Sequence, residues 1–112
     1  MPLRILSISY DPMLLKTRQH LLELQGYEVV SAEGFTEATE RCQAETFDLV
    51  VMGHSIPHKD KEALFDLIQR RCPAPVIALL RAGEEPLRGA AGSADPMNPT
   101  EFLKAVGNTL SK

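Results

Sequence analysis

The side chains best suited to chemistry in this sequence lie at His54, His58 and Asp60, two imidazoles and a carboxylate in one short stretch. Imidazole is a competent nucleophile, so His54 would accept a phosphoryl group if a suitable acid or base stood beside it. None is evident, and the ordinary reading of His54 is a loop or partly packed histidine. With Asp11 or Asp95 the three would also form a metal cluster. Their spacing, His-x3-His-x-Asp, falls on a loop that contains Pro57 and not on a helix face where successive turns converge. Neither a metal nor any other cofactor is expected.

Other candidates read more plainly. Cys42 and Cys72 lie 30 residues apart without a Cys-x-x-Cys pair, and read as two reduced, largely buried thiols. Lys59 and Lys61 beside His58 read as a solvated start to a helix. The glycine-rich run from Gly83 to Gly92 lacks the Lys-Ser or Lys-Thr that ends a phosphate loop, and reads as a flexible connection. Tyr10 follows the first apolar run and either fills a pocket or meets a partner; a buried tyrosine keeps a hydrogen bond for its hydroxyl.

The element that must position these groups is Asp48 to Pro57. Leu49, Val50, Val51 and Met52 are apolar without alternation, as in a parallel strand covered on both faces. In such a sheet, ligands gather beyond the carboxyl ends of the strands, where Gly53 and His54 would stand. Upstream, Arg4 to Ser9 reads as a first strand, followed by Asp11 as cap and Pro12 in the first turn of a helix that ends at Gly26. Tyr27 to Ala32 reads as an edge strand, and Thr36 as the cap of a second helix reaching Ala44. Downstream, Asp60 is expected to cap a third helix with Ala63, Leu64, Leu67 and Ile68 on one side. Pro75 to Leu80 reads as a fourth strand. Arg81 to Ala94 has room for at most one helical turn and a very short fifth strand, before Asn98-Pro99-Thr100-Glu101 opens the last helix with a cap and a capping-box acid. Strand and helix alternate, which implies right-handed crossovers and a doubly wound parallel α/β sheet.

Bulk properties suit one domain over residues 1–112. The hydrophobic fraction of 44%, charged fraction of 24% and net charge of −3 are those of a soluble globular protein without a basic footprint for nucleic acid. Nothing near the N-terminus reads as a leader, and no stretch nears membrane-spanning length, so a cytoplasmic location without a membrane partner is expected.

The order of these landmarks resembles a response-regulator receiver domain, the CheY-like, flavodoxin-like module of two-component systems. The similarity is carried by Arg4-Ile-Leu-Ser-Ile8 ahead of Asp11-Pro12, by Leu21-Leu-Glu-Leu-Gln-Gly-Tyr-Glu-Val-Val30, and by Phe47-Asp-Leu-Val-Val-Met52 with Ile56-Pro57. Pro73-Ala-Pro-Val-Ile-Ala-Leu79 and Asp95-Pro96 with Asn98-Pro99-Thr-Glu-Phe-Leu103 complete it. The resemblance implies a five-stranded sheet in the order 2-1-3-4-5, here with helix four and strand five shortened.

It also implies a chemistry that these residues do not support. Receiver domains transfer a phosphoryl group to an aspartate, with magnesium on acidic side chains and with a hydroxyl and a lysine meeting the new charge. In this sequence the acidic pair falls on Ser9 and Tyr10, leaving the adjacent Asp11. The acceptor falls on Gly53, the hydroxyl on Leu80 and the lysine on Asp95. Loss of nucleophile, metal ligands, hydroxyl and lysine together leaves no mechanism. The sequence therefore reads as a degenerate receiver domain that is not an enzyme. It would work as a monomer or weak homodimer, through phosphorylation-independent contact with signalling proteins, with Tyr10, Asp11 and His54 as candidate contact residues. The alternative is a module that binds a small ligand in the crevice left at the strand ends.

Overall fold

The computed structural model describes residues 2–111. Five strands, β1 (Arg4–Ser9), β2 (Glu28–Glu33), β3 (Leu49–Met52), β4 (Val76–Leu79) and β5 (Gly92–Ala94), form one sheet in the order β2-β1-β3-β4-β5. Every pairing is parallel. Four helices cover it: α1 (Pro12–Leu24), α2 (Gly34–Ala44), α3 (His58–Arg71) and α4 (Pro99–Leu110).

Successive residues of a strand point to opposite faces and both faces are covered, which explains the unbroken apolar runs of β3 and β4. Leu6, Ile8, Val50 and Met52 pack under Ala38 and Cys42 of α2 and Leu64 and Ile68 of α3. Ile5, Leu49, Val51 and Ile77 pack under Leu22 of α1 and Phe102 and Val106 of α4. Truncating a fully buried residue such as Leu22 to alanine would cost about 2–5 kcal/mol. At the amino end of the sheet, Arg4 forms ion pairs with Glu28 and Glu45, and its backbone N–H donates to Asp48.

Local signals account for several boundaries. Asp11 caps α1, its Oδ1 accepting from the N–H groups of Met13 at 2.9 Å and Leu14 at 3.3 Å. Gly26 follows that helix with φ +92°, the left-handed conformation glycine adopts without strain. Asn98 caps α4 by accepting from Glu101 N–H at 3.0 Å. The capping box is displaced, because the Glu101 carboxylate accepts from the N–H of Asp95.

Other expectations need correction. Thr36 is not a cap: helical bonding already begins at Gly34, and Thr36 lies inside the first turn of α2. Asp60 is not a cap either, since Pro57 occupies the N-cap position and places Asp60 in the first turn of α3. Ala63 is exposed; the buried stripe of α3 is Lys61, Leu64 and Ile68. Lys61 is therefore not a solvated residue at the helix start. It is 1% exposed, and its Nζ lies 3.5 Å from Glu84. Between β4 and β5 the fourth helix is absent, not merely shortened, and its place is taken by a segment of turns. That segment is anchored by Leu87 in the core, by Lys61–Glu84 and by His58–Glu85 at 3.3 Å.

The cysteines are not free thiols. Cys42 in α2 and Cys72 at the C-cap of α3 form a disulfide, with Cα atoms 5.6 Å apart. Sequence separation conceals this proximity. It arises because α2 and α3 pack side by side on the same sheet face.

Candidate functional site

The carboxyl ends of β1 and β3 meet at a joint built from Ser9, Tyr10, Gly53, His54 and Ser55. Gly53 N–H donates to the carbonyl of Ile8 at 2.9 Å, which holds the two strand exits together. Two serine hydroxyls extend the joint. The Oγ atoms of Ser9 and Ser55 are 3.0 Å apart, Tyr10 N–H donates to Ser55 Oγ at 3.0 Å, and Asp11 N–H donates to Ser9 Oγ at 3.0 Å. Polar groups that would otherwise be stranded at a buried strand end are thereby satisfied.

The dominant side chain at this joint is Arg18, which arrives from α1 and is 5% exposed. A Cβ on Gly53 would stand 2.6 Å from Nη1 of Arg18 and 3.1 Å from the Ile8 carbonyl oxygen. The guanidinium thus occupies the space beside Gly53 into which any side chain at that position would project. Its Nη2 lies 3.1 Å from Nδ1 of His54, while Nη1 is buried without a hydrogen-bond partner. Among the described residues no carboxylate forms an ion pair with Arg18. Burial lowers its pKa, opposed at longer range by Asp11.

A guanidinium can only donate, so Nδ1 of His54 accepts and the neutral imidazole carries its proton on Nε2. Burial, followed by the positive charges of Arg18 and Arg81, holds the His54 pKa below its ordinary value. Tyr10 donates its hydroxyl to Asp60, in the first turn of α3, at 2.8 Å. Burial and that bond raise the phenol far above its usual range.

The structure brings Ser9, Tyr10, Gly53 and His54 together, and it disperses the rest. Asp11 is committed to capping α1. Leu80 is half-buried against the core and donates its N–H to Ala94 O. Asp95 is exposed and accepts from Met97 N–H at 2.8 Å. His54, His58 and Asp60 do not converge: they bond Arg18, Glu85 and Tyr10 respectively. Among the described residues no group of three His, Cys, Asp or Glu side chains is placed to hold a metal ion. Sequence reading overlooked Arg18 and Ser55. Arg18 carried a signal, since Leu15, Arg18 and Leu22 share the buried stripe of α1 and only the middle one is charged.

Comparison with known proteins agrees with the strand order. The chain is 36% identical over 86 residues to the transcriptional regulatory protein GlrR of Escherichia coli (strain K12), a stretch covering 76% of this chain and 19% of that protein. It is 34% identical over 82 residues to the sensor protein GacS of Pseudomonas syringae pv. syringae, covering 68% of this chain and 9% of that one. A putative response regulator from Chloroflexus aurantiacus J-10-fl superposes over 100% of both chains with a TM-score of 0.85 at 21% identity. This is a domain of the CheY-like receiver type. The receiver domain spans about a fifth or less of the length of the curated relatives it matches. No model of a protein family matches the chain.

A second structural neighbour is the receiver domain of the sensor histidine kinase PA1611 from Pseudomonas aeruginosa PAO1, with a magnesium ion coordinated in its active-site cleft. It covers 100% of both chains with a TM-score of 0.84 at 17% identity. The present receiver domain does not fit such an ion. Magnesium takes hard oxygen ligands, chiefly carboxylates, whereas these positions offer two neutral side chains at Ser9 and Tyr10, none at Gly53, and a buried guanidinium beside Gly53.

Proposed function

We propose that this receiver domain serves two-component or phosphorelay signalling through protein-protein contact, without aspartyl phosphorylation and without enzymatic activity. One observation carries the reading: Gly53 stands at the exit of β3, and Arg18 fills the space that a side chain at position 53 would need. Phosphoryl transfer to an aspartate requires a carboxylate nucleophile, a metal and groups that meet the developing charge. Ser9, Tyr10, Gly53, Leu80 and Asp95 supply none of them at their positions. The relatives among transcriptional regulators and sensors support a signalling setting, and the half-exposed Tyr10 and His54 are the contact residues of choice at the crevice mouth. The small-ligand reading is disfavoured, since the guanidinium lies where such a ligand would approach the Gly53 backbone.

Incubation with acetyl phosphate and magnesium, followed by intact-mass measurement, tests this directly. An unchanged mass is expected, and a stoichiometric acyl phosphate would overturn the proposal. Pull-downs with the wild-type domain beside Tyr10→Ala and His54→Ala are expected to lose one and the same partner in the variants. Full retention by both would remove the crevice mouth as the contact surface.

A further inference from the structure

We infer that Arg18 is a built-in cation that plugs the receiver crevice and keeps divalent metal out of it. The inference rests on the receiver assignment but not on the proposed mode of signalling, because a domain that cannot be phosphorylated is still free to bind a metal. Three observations converge. The guanidinium is almost completely buried, although among the described residues no carboxylate pairs with it. Its Nη1 reaches within 2.6 Å of where the first side-chain atom of residue 53 would stand, and is left without a partner. Its Nη2 is fixed by Nδ1 of His54, the residue that follows Gly53.

A buried, incompletely bonded charge is costly, and the surrounding packing must hold it in place. Leu15 and Leu22, one turn to either side on α1, are both in the core and set the register that points Arg18 at the strand ends. Gly53 and Arg18 therefore form a matched pair: absence of a side chain at one position makes room for the charge of the other. In receiver clefts that hold a divalent ion, positive charge is supplied from solution and depends on concentration. Here it is tethered and monovalent.

The test uses manganese(II) as a paramagnetic probe and follows the backbone amide signals of Ser9 to Asp11 and Gly53 to Ser55 by NMR. The wild type is expected to show no saturable broadening at these amides. Gly53→Asp alone is expected to behave in the same way, because Arg18 pairs with the new carboxylate. Gly53→Asp with Arg18→Ala is expected to gain saturable broadening, with the new aspartate as the carboxylate ligand. Saturable broadening in the wild type, equal broadening in the single and double variants, or none in the double variant would overturn the inference. Should the aspartate variants fail to give a dispersed amide spectrum, Arg18→Ala alone decides. Its vacated site is expected to take up free guanidinium, raising the unfolding midpoint at low concentration relative to sodium at equal ionic strength. Absence of that response would sink the idea.

Discussion

Arg18 Nη2 and His54 Nδ1 lie 3.1 Å apart, and the guanidinium can be only the donor in that contact. The bond therefore exists only while His54 is neutral. Protonation at Nδ1 would set an imidazolium against a guanidinium, with Arg81 and Lys61 adding to the repulsion and Glu84 opposing it.

A pH dependence follows. The folded-state pKa of His54 is depressed, so the unfolded chain binds the proton more readily. Stability from this group is fully present above about pH 6.5, the ordinary histidine value, and is lost as pH falls from there toward the folded-state pKa. Unfolding midpoints measured from neutral to mildly acidic pH should decline more steeply for the wild type than for Arg18→Met, in which the neighbouring charge is removed. Parallel curves for the two proteins would show that the contact is not coupled to His54 titration.

Gly53→Ala places a methyl group against Nη1 of Arg18, a flexible tip, and 3.1 Å from the Ile8 carbonyl oxygen, a fixed one. A loss of about 1–3 kcal/mol, the usual cost of overpacking, is expected in urea unfolding. The His54 ring signals should shift toward those of a histidine without a guanidinium partner. Unchanged stability with unchanged His54 signals would mean that Arg18 does not occupy the space beside Gly53.

The Lys61–Glu84 pair ties α3 to the segment that stands in place of a fourth helix. Glu84→Gln leaves the buried ammonium without its counter-charge and should cost about 1–3 kcal/mol. Lys61→Met, which keeps the length of the side chain and removes the charge, should be tolerated far better, because replacing a buried charge by an apolar isostere is often neutral. Urea unfolding of both variants tests the ordering, and a Lys61→Met protein less stable than Glu84→Gln would reverse it.

The Cys42–Cys72 disulfide closes a loop that contains β3, the crevice loop and all of α3. For a loop of this length, chain entropy assigns the cross-link about 3–4 kcal/mol. Urea unfolding in the presence and absence of a dithiol reductant should differ by that order. Coincident curves, with free thiols confirmed by mass in the reduced sample, would show that the bond adds nothing to stability.

The amino-acid sequence by itself determined the alternation of strands and helices, the caps at Asp11 and Asn98, and a doubly wound parallel sheet. These follow from local patterning and from the handedness of parallel crossovers; the order 2-1-3-4-5 came from the resemblance to receiver domains, and the strand pairings bear it out. It also determined what is missing, because a glycine at position 53 has no nucleophile in any fold. Only the tertiary structure decided what fills the vacancy. Arg18 is 35 positions from Gly53 in the chain, and its charge gave reason to place it in solvent. Packing of Leu15 and Leu22 turned it inward. The same holds for Lys61 and for the two cysteines. A long side chain buries its charge, and two thiols meet, through the approach of elements distant in sequence, and no local pattern encodes that approach.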